Sequence, residues 1–90
     1  MFNTLEELIN LIRDRKKSSN EDSYTKKLLD DKKLSVAKVK EEIGELIEAV
    51  ENKSNTVHEA ADVLYHLAVY LEANSINIED VMAELEKRKK

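Results

Sequence analysis

Five acidic side chains in two short stretches carry the chemical interest of this sequence: Glu41, Glu42 and Glu45, then Glu59 and Asp62. Both stretches are helical by pattern, and residues three or four apart share a helix face. Glu42 and Glu45 therefore project together, as do Glu41 and Glu45, and likewise Glu59 and Asp62. Thirteen residues separate Glu45 from Glu59, which leaves room to end one helix, turn and start the next. Two antiparallel helices would then aim four or five carboxylates at one point. Bare carboxylates about 4 Å apart repel by roughly 4 kcal/mol per pair at an effective dielectric of 20. Such a cluster needs protons or a cation. Hard oxygen ligands of this kind suit magnesium, with manganese as a substitute.

The elements that must position these groups follow from apolar spacing. Val36, Val39, Ile43, Leu46, Ile47 and Val50 recur at steps of three and four and predict a third helix capped by Ser35. Glu41, Glu45 and Glu48 fall across from that stripe, and Glu42 falls on its flank. Residues 41–52 hold five Glu and no Lys or Arg, so this stretch has few local charge partners. A turn is expected at residues 52–55. A fourth helix then runs from Asn55 or Thr56 to about Ala73, with Val57, Ala60, Ala61, Leu64, Leu67, Ala68 and Leu71 as its stripe. Asp62 is the only charged residue between Ala60 and Leu71. A helix this apolar is expected to be buried, with Glu59, Asp62 and His66 as polar groups framed by apolar ones. Buried charges persist when paired or bound to a metal.

The rest of the chain supplies support. Thr4 and Glu7 read as a capping box opening the first helix, which carries Leu5, Leu8, Ile9, Leu11 and Ile12 and ends in the basic run from Arg13 to Lys17. Residues 18–22 read as a polar linker. Ser23 is expected to cap a short helix through Asp30 with Tyr24, Leu28 and Leu29 inward, and residues 30–33 read as a loop. Asn77 opens a last helix whose Ile78, Val81, Met82 and Leu85 are expected to face inward.

Composition narrows the function classes. Ninety residues make one domain, here residues 1–90, with no proline and one glycine. The expected fold class is all-α, a bundle of four or five helices. A core this thin, beside a fourth helix that is apolar nearly all round, is expected to be completed by a second copy, giving a homodimer. The absence of cysteine excludes disulfides, thiolate zinc sites and thiol catalysis. No segment reads as a secretion signal or a bilayer span, so the expected compartment is the cytoplasm and no membrane partner is expected. The net charge of −4 is uneven: residues 1–40 hold ten Lys/Arg against seven Asp/Glu, and residues 41–90 hold five against twelve. A cationic half beside an acidic half can take a metal and a phosphate together. A nucleic-acid partner is not expected, because the chain is acidic and its basic residues lack interleaved aromatics.

Each candidate has a plainer alternative. Glu is a good helix former, so the triplet at 41, 42 and 45 taken alone reads as a solvated face. The pair Glu59 and Asp62 alone reads as partners for distant Lys or Arg. In tandem, both stretches supply carboxylates and neither supplies counter-charge. His66, one turn beyond Asp62, is either a core histidine donating to a carboxylate or a substrate contact. There is no glycine-rich phosphate loop, so cations such as Arg13 and Lys38 would have to serve any phosphate. A plain helical dimerisation module would explain the stripes but not the acidic pair of motifs.

Glu41-Glu42-x-x-Glu45 followed by Glu59-x-x-Asp62 resembles the signature of the MazG-like all-α nucleoside triphosphate pyrophosphatases. Ser23-Tyr24-Thr25-x-x-Leu28, Lys38-Val39-x-Glu41-Glu42-x-x-Glu45, the block from Glu59 to Leu67, and Val81-x-x-Glu84-Leu85-x-x-Arg88 narrow it to the phosphoribosyl-ATP pyrophosphohydrolase family. The resemblance covers nearly the whole chain. It implies a dimeric helical bundle and magnesium on Glu42, Glu45, Glu59 and Asp62. Glu41 would be an outer ligand or the base for water. The implied reaction is hydrolysis of phosphoribosyl-ATP to phosphoribosyl-AMP and pyrophosphate, the second step of histidine biosynthesis. Ser23, Tyr24, Thr25, Tyr65 and His66, with Arg13 or Lys38, would hold the additional ribose phosphate of that substrate. The competing enzyme reading is a housecleaning pyrophosphatase acting on ordinary or damaged nucleoside triphosphates. Two positions depart from the family pattern: Lys40 stands where glycine usually precedes the paired glutamates, and Asp30-Asp31-Lys32 replaces a glycine-bearing loop.

Overall fold

A chain without proline and with a single glycine has little to interrupt a helix. The computed structural model describes residues 2–18 and 23–89. It contains five helices: α1 (Asn3–Lys17), α2 (Tyr24–Asp30), α3 (Lys32–Asn52), α4 (Thr56–Ala73) and α5 (Ile78–Arg88). No strand occurs among the described residues. The described residues are thus all-α, with five helices, within the four or five expected.

Helix α4 is the central element and packs against α1, α2 and α3. Its buried Ala68, Val69 and Ala73 meet Ile9 and Ile12 of α1 and Leu28 and Leu29 of α2, with Leu8, Leu34, Tyr65 and Ile78 around them. Ile12 and Val69 are fully excluded from solvent. Each such aliphatic side chain contributes about 1.5–3 kcal/mol when buried. Short turns hold α3 and α4 together. Lys53 and Asn55 adopt left-handed backbone angles, φ 56° and 55°, and Ser54 N–H reaches back 3.1 Å to the Ala49 carbonyl. That bond closes a helix end that would otherwise leave its carbonyls unpaired. The end of α4 repeats the device, with Ser75 at φ 59° and Ile76 N–H 2.9 Å from the Leu71 carbonyl.

Several expectations are corrected. Helix α1 begins at Asn3, so Thr4 lies inside it, and the Phe2 carbonyl rather than a Thr4 side chain receives the N–H groups of Leu5 and Glu6, at 3.1 and 3.3 Å. Beyond Ser18, the expected linker at residues 18–22 lies outside the described residues. Ser23 caps α2 as expected, accepting from Lys26 N–H. The expected loop at residues 30–33 shrinks to Asp31. Its side chain accepts Leu34 N–H at 3.1 Å and caps α3 at once, while Ser35 becomes a buried interior residue of that helix.

The third-helix stripe divides. Val36, Val39 and Leu46 are half-buried, but Ile43, Ile47 and Val50 remain 43–58% exposed. The face turned inward carries Ser35, Glu42 and Ala49. Helix α4 is not buried all round either, because Val57, Leu64 and Leu67 are exposed. On α5 the expected inward residues Met82 and Leu85 are exposed, and no residue of that helix is fully buried. The physical reason is common to all three: the four other helices of one chain do not offer enough surface to cover every apolar stripe.

Candidate active site

The inward rotation of α3 delivers acid to the hairpin interior. Glu42 is only 6% exposed. One ligand oxygen from each of Glu42, Glu45 and Glu59 lies within 4.8 Å of the others. Glu42 Oε2 and Glu59 Oε2 are buried and make no hydrogen bond. Buried polar atoms are nearly always paired, so two orphans facing one cluster mark a place for something else. Burial, reinforced by the neighbouring Glu45, pushes the Glu42 carboxyl above its ordinary range, with Asp62 adding to the effect and His66 opposing it. Burial and Glu45 push Glu59 in the same direction. These are carboxylates held against their own repulsion.

The cluster fits a hard divalent cation. Ligands about 2.1 Å from an octahedral magnesium ion stand about 3.0 to 4.2 Å apart, which the 4.8 Å limit on these oxygens accommodates. The donors are all carboxylate oxygens, as magnesium and manganese prefer, and two of them lack any other partner.

Helices α2 and α4 build a wall beside the acids. Tyr24 hydroxyl lies 3.1 Å from His66 Nε2, and His66 Nδ1 lies 2.8 Å from the Asp62 carbonyl. A carbonyl only accepts, so Nδ1 carries the ring proton of neutral His66, and Nε2 accepts from Tyr24. Thr25 hydroxyl bonds the Tyr65 hydroxyl. The rings stack accordingly: Tyr24 and Tyr65 have centroids 6.4 Å apart at 17°, and Tyr65 meets His66 edge-on at 5.0 Å. Burial raises the Tyr24 hydroxyl above its usual range while Lys38 works against that rise, which places a cation near the phenol. Lys38 itself pairs with Glu41 at 3.3 Å, and that pairing holds its ammonium above the ordinary range.

The structure thus brings together Glu42, Glu45, Glu59, Asp62, Tyr24, Thr25, Tyr65 and His66, with Lys38 and Glu41 at the border. Ser23 adjoins them as the α2 cap. Arg13 is placed elsewhere. Its Nε lies 3.1 Å from Glu72, and its two terminal nitrogens hold Glu79 at 2.9 and 2.6 Å. Lys16 Nζ bonds the Glu72 carbonyl. This network ties α1, α4 and α5 together. Sequence reasoning passed over Glu72, which no spacing connects to Arg13. It also passed over His58, whose Nε2 lies 3.3 Å from Asp62 Oδ2; its position four residues before Asp62 and beside Glu59 was the available signal.

An all-helical fold with a carboxylate cluster beside aromatic and basic side chains is that of the MazG-like nucleotide pyrophosphatases. The family model described as phosphoribosyl-ATP pyrophosphohydrolase matches residues 5–89, and the chain belongs to that family. Among curated relatives, it is similar to the phosphoribosyl-ATP pyrophosphatase of Clostridium novyi, 41% identical over 99% of this chain and 84% of that protein. The phosphoribosyl-ATP pyrophosphatase of Pyrobaculum neutrophilum is 45% identical over 93% of each chain. The histidine biosynthesis bifunctional protein of Thermotoga maritima is 42% identical over 93% of this chain but 44% of its own length. No solved structure matches the chain significantly. Among the described residues no helix is long and apolar enough to cross a membrane.

Proposed function

We propose that this chain hydrolyses phosphoribosyl-ATP to phosphoribosyl-AMP and pyrophosphate in the cytoplasm, the second step of histidine biosynthesis, with magnesium as cofactor and manganese as a substitute. One observation carries the site assignment: Glu42, more than nine-tenths buried, keeps an oxygen without a partner beside other carboxylates. Family membership supports the substrate class. Glu42, Glu45, Glu59 and Asp62 would hold the ion. When bound, magnesium polarises phosphate oxygens and neutralises charge that builds up during transfer to water.

The chain's own groups do the remaining work. Glu41, with its side chain 51% accessible, would serve as an outer ligand or as the base for the attacking water. Lys38 offers donors to phosphate oxygens, while the Tyr24 hydroxyl gives its one proton to His66 Nε2. His66 aims that hydroxyl and is itself aimed by the Asp62 carbonyl. The face of Tyr65 walls the site. Arg13 has its guanidinium committed to Glu72 and Glu79, which favours Lys38 as the cation for the additional ribose phosphate.

The reading includes a homodimer. The exposed Ile43, Ile47 and Val50 of α3 and Val57, Leu64 and Leu67 of α4 are the surface that a second copy would cover. Sedimentation at micromolar concentration tests it, and a clean 10.4 kDa species overturns it. For the reaction, pyrophosphate release is compared with phosphoribosyl-ATP, a panel of nucleoside triphosphates and no nucleotide, each with magnesium. Preference for phosphoribosyl-ATP is expected, and faster turnover of a plain triphosphate would overturn the choice of substrate. Silence with every nucleotide would favour a binding module. Asp62→Asn removes charge at constant shape and is expected to abolish most turnover while leaving the helical circular-dichroism signal intact.

A further inference from the structure

Helix α5 is the least covered element of the molecule. Its Ile78, Val81, Met82 and Leu85 recur at steps of three and four, the spacing of a helix face that packs. Yet α5 buries no residue fully, and Met82 and Leu85 are about half exposed. Ile78 touches the core and Glu79 holds Arg13. Between α1 and α5 lies an open groove of about 800 Å³. Phe2, Leu5 and Ile9 form its α1 wall, and Ile78 and Met82 its α5 wall. It follows α1 from Phe2 to Arg13, about 16 Å at 1.5 Å per residue. A small ligand would find few free polar groups there, because the Arg13 guanidinium is already engaged by Glu72 and Glu79.

Two observations identify the occupant. The first is area. A folded monomer of 10.4 kDa is expected to expose about 5,400 Å², whereas this chain exposes 6775 Å². The excess of about 1,400 Å² is more than the roughly 800 Å² that one standard interface covers on each partner. A standard interface over α3 and α4 would therefore leave apolar surface uncovered. The second is charge. Helix α5 is acidic in its first turn, at Glu79 and Asp80, and basic in its last, at Lys87 and Arg88. Two copies of α5 laid antiparallel place each acidic end beside the other's basic end, so the helix is complementary to itself. Self-complementarity is the requirement of a two-fold contact. The length also agrees, since the 11 residues of α5 span about 16 Å.

We propose that the groove between α1 and α5 is a self-association surface, filled by α5 of a second copy lying antiparallel to α5 of the first. The contact is reciprocal: each copy lends its α5 and receives its partner's. It is separate from the α3 and α4 surface and does not involve the carboxylate site. With both surfaces engaged, two-fold contacts of two kinds close a tetramer.

Sedimentation of the full chain at micromolar concentration tests this. The wild type is expected to sediment as four chains of 10.4 kDa. Met82→Glu and Leu85→Glu each put a charge into the new contact and are expected to halve that mass, with the helical circular-dichroism signal intact. Met82→Leu should keep the wild-type mass. Ile47→Glu, on the other surface, reports separately on the α3 and α4 contact. A wild-type dimer that Met82→Glu reduces to a monomer would uphold the α5 contact and remove the other one. A mass unmoved by both glutamate variants would overturn the proposal, as would occupation of the groove by anything other than a second copy. Cross-linking reads the orientation without disturbing the apolar face, because the chain has no cysteine of its own. Mixed Asn77→Cys and Lys89→Cys chains are expected to join through a short thiol-reactive linker. Lys89→Cys joining only to itself would overturn the antiparallel arrangement.

Discussion

Glu42 and Glu72 are almost equally buried, at 6% and 5%, and they teach opposite lessons. Glu72 has a cation: Arg13 Nε sits 3.1 Å away and the same guanidinium grips Glu79. Glu42 has other carboxylates for neighbours and an oxygen with no partner. The first arrangement is complete within the chain and ties α1, α4 and α5 together. The second is incomplete and becomes favourable only when something positive enters. A buried acid paired by the protein serves structure, whereas one left among its like is held for a ligand.

Replacement of each acid by its neutral isostere is the strongest way to break the contrast. Glu42→Gln is expected to lower hydrolysis of phosphoribosyl-ATP by about 100-fold or more, because the electrostatic help of a metal ion is worth several kcal/mol and each 1.4 kcal/mol is a factor of ten. Glu72→Gln should leave turnover within a few-fold. Steady-state pyrophosphate release checks both, and equal losses would mean that the two acids do not differ in kind.

The next effect belongs to the structural pair. Arg13→Ala leaves Glu72 buried without its cation and is expected to cost about 1–3 kcal/mol of stability, below the figure for a fully buried pair because Arg13 is partly exposed. Urea unfolding with and without magnesium measures it, and the loss should be the same in both.

The pH dependence sharpens the contrast further. Glu42 and Glu59 are raised above their ordinary value of 4.5, so the folded metal-free protein holds more protons than the unfolded chain. Their contribution is then fully present below about pH 4.5 and is lost as pH rises through the raised values. Glu79 behaves in reverse: its hydrogen bonds from Arg13 lower it to about 2, so its contribution is present above about pH 4.5 and lost as pH falls through about 2. Thermal unfolding without metal should show stability falling from mildly acidic toward neutral pH. Magnesium, by replacing the protons, should flatten that fall. An unchanged slope in magnesium would separate the cation from the raised acids.

The smallest effect is expected at the rim of the structural network. Glu79→Gln should leave stability nearly unchanged, because its side chain is 65% exposed and such ion pairs are weak. A larger loss would mean that α5, which buries no residue fully, depends on this one contact.

Local pattern carried a great deal of this molecule. Helix-favouring composition, the Ser23 cap and the turn at residues 52–55 follow from backbone chemistry within a few residues. The pairing of the two acidic stretches was also readable, since a hairpin of two helices with matched carboxylate faces follows from spacing and loop length. Boundaries were less legible where side chains compete to cap. Asp31 was available as an alternative to Ser35, and the choice removed a loop. Apolar stripes overstated burial, since Ile43, Ile47 and Leu64 have the right period and still face outward.

The sequence alone therefore determined the helices, the acidic motif pair and the family resemblance, because each rests on interactions between near neighbours or on residues at set spacings. Tertiary structure decided the rest. The rotation of α3 put Glu42 inside and Ile43 outside, a choice made by packing against α4 and not by the periodicity of α3. The same packing set Tyr24 against His66 across 42 positions and sent Arg13 to Glu72 across 59. No local pattern encodes such meetings, because they depend on which helix faces satisfy one another once the chain has folded.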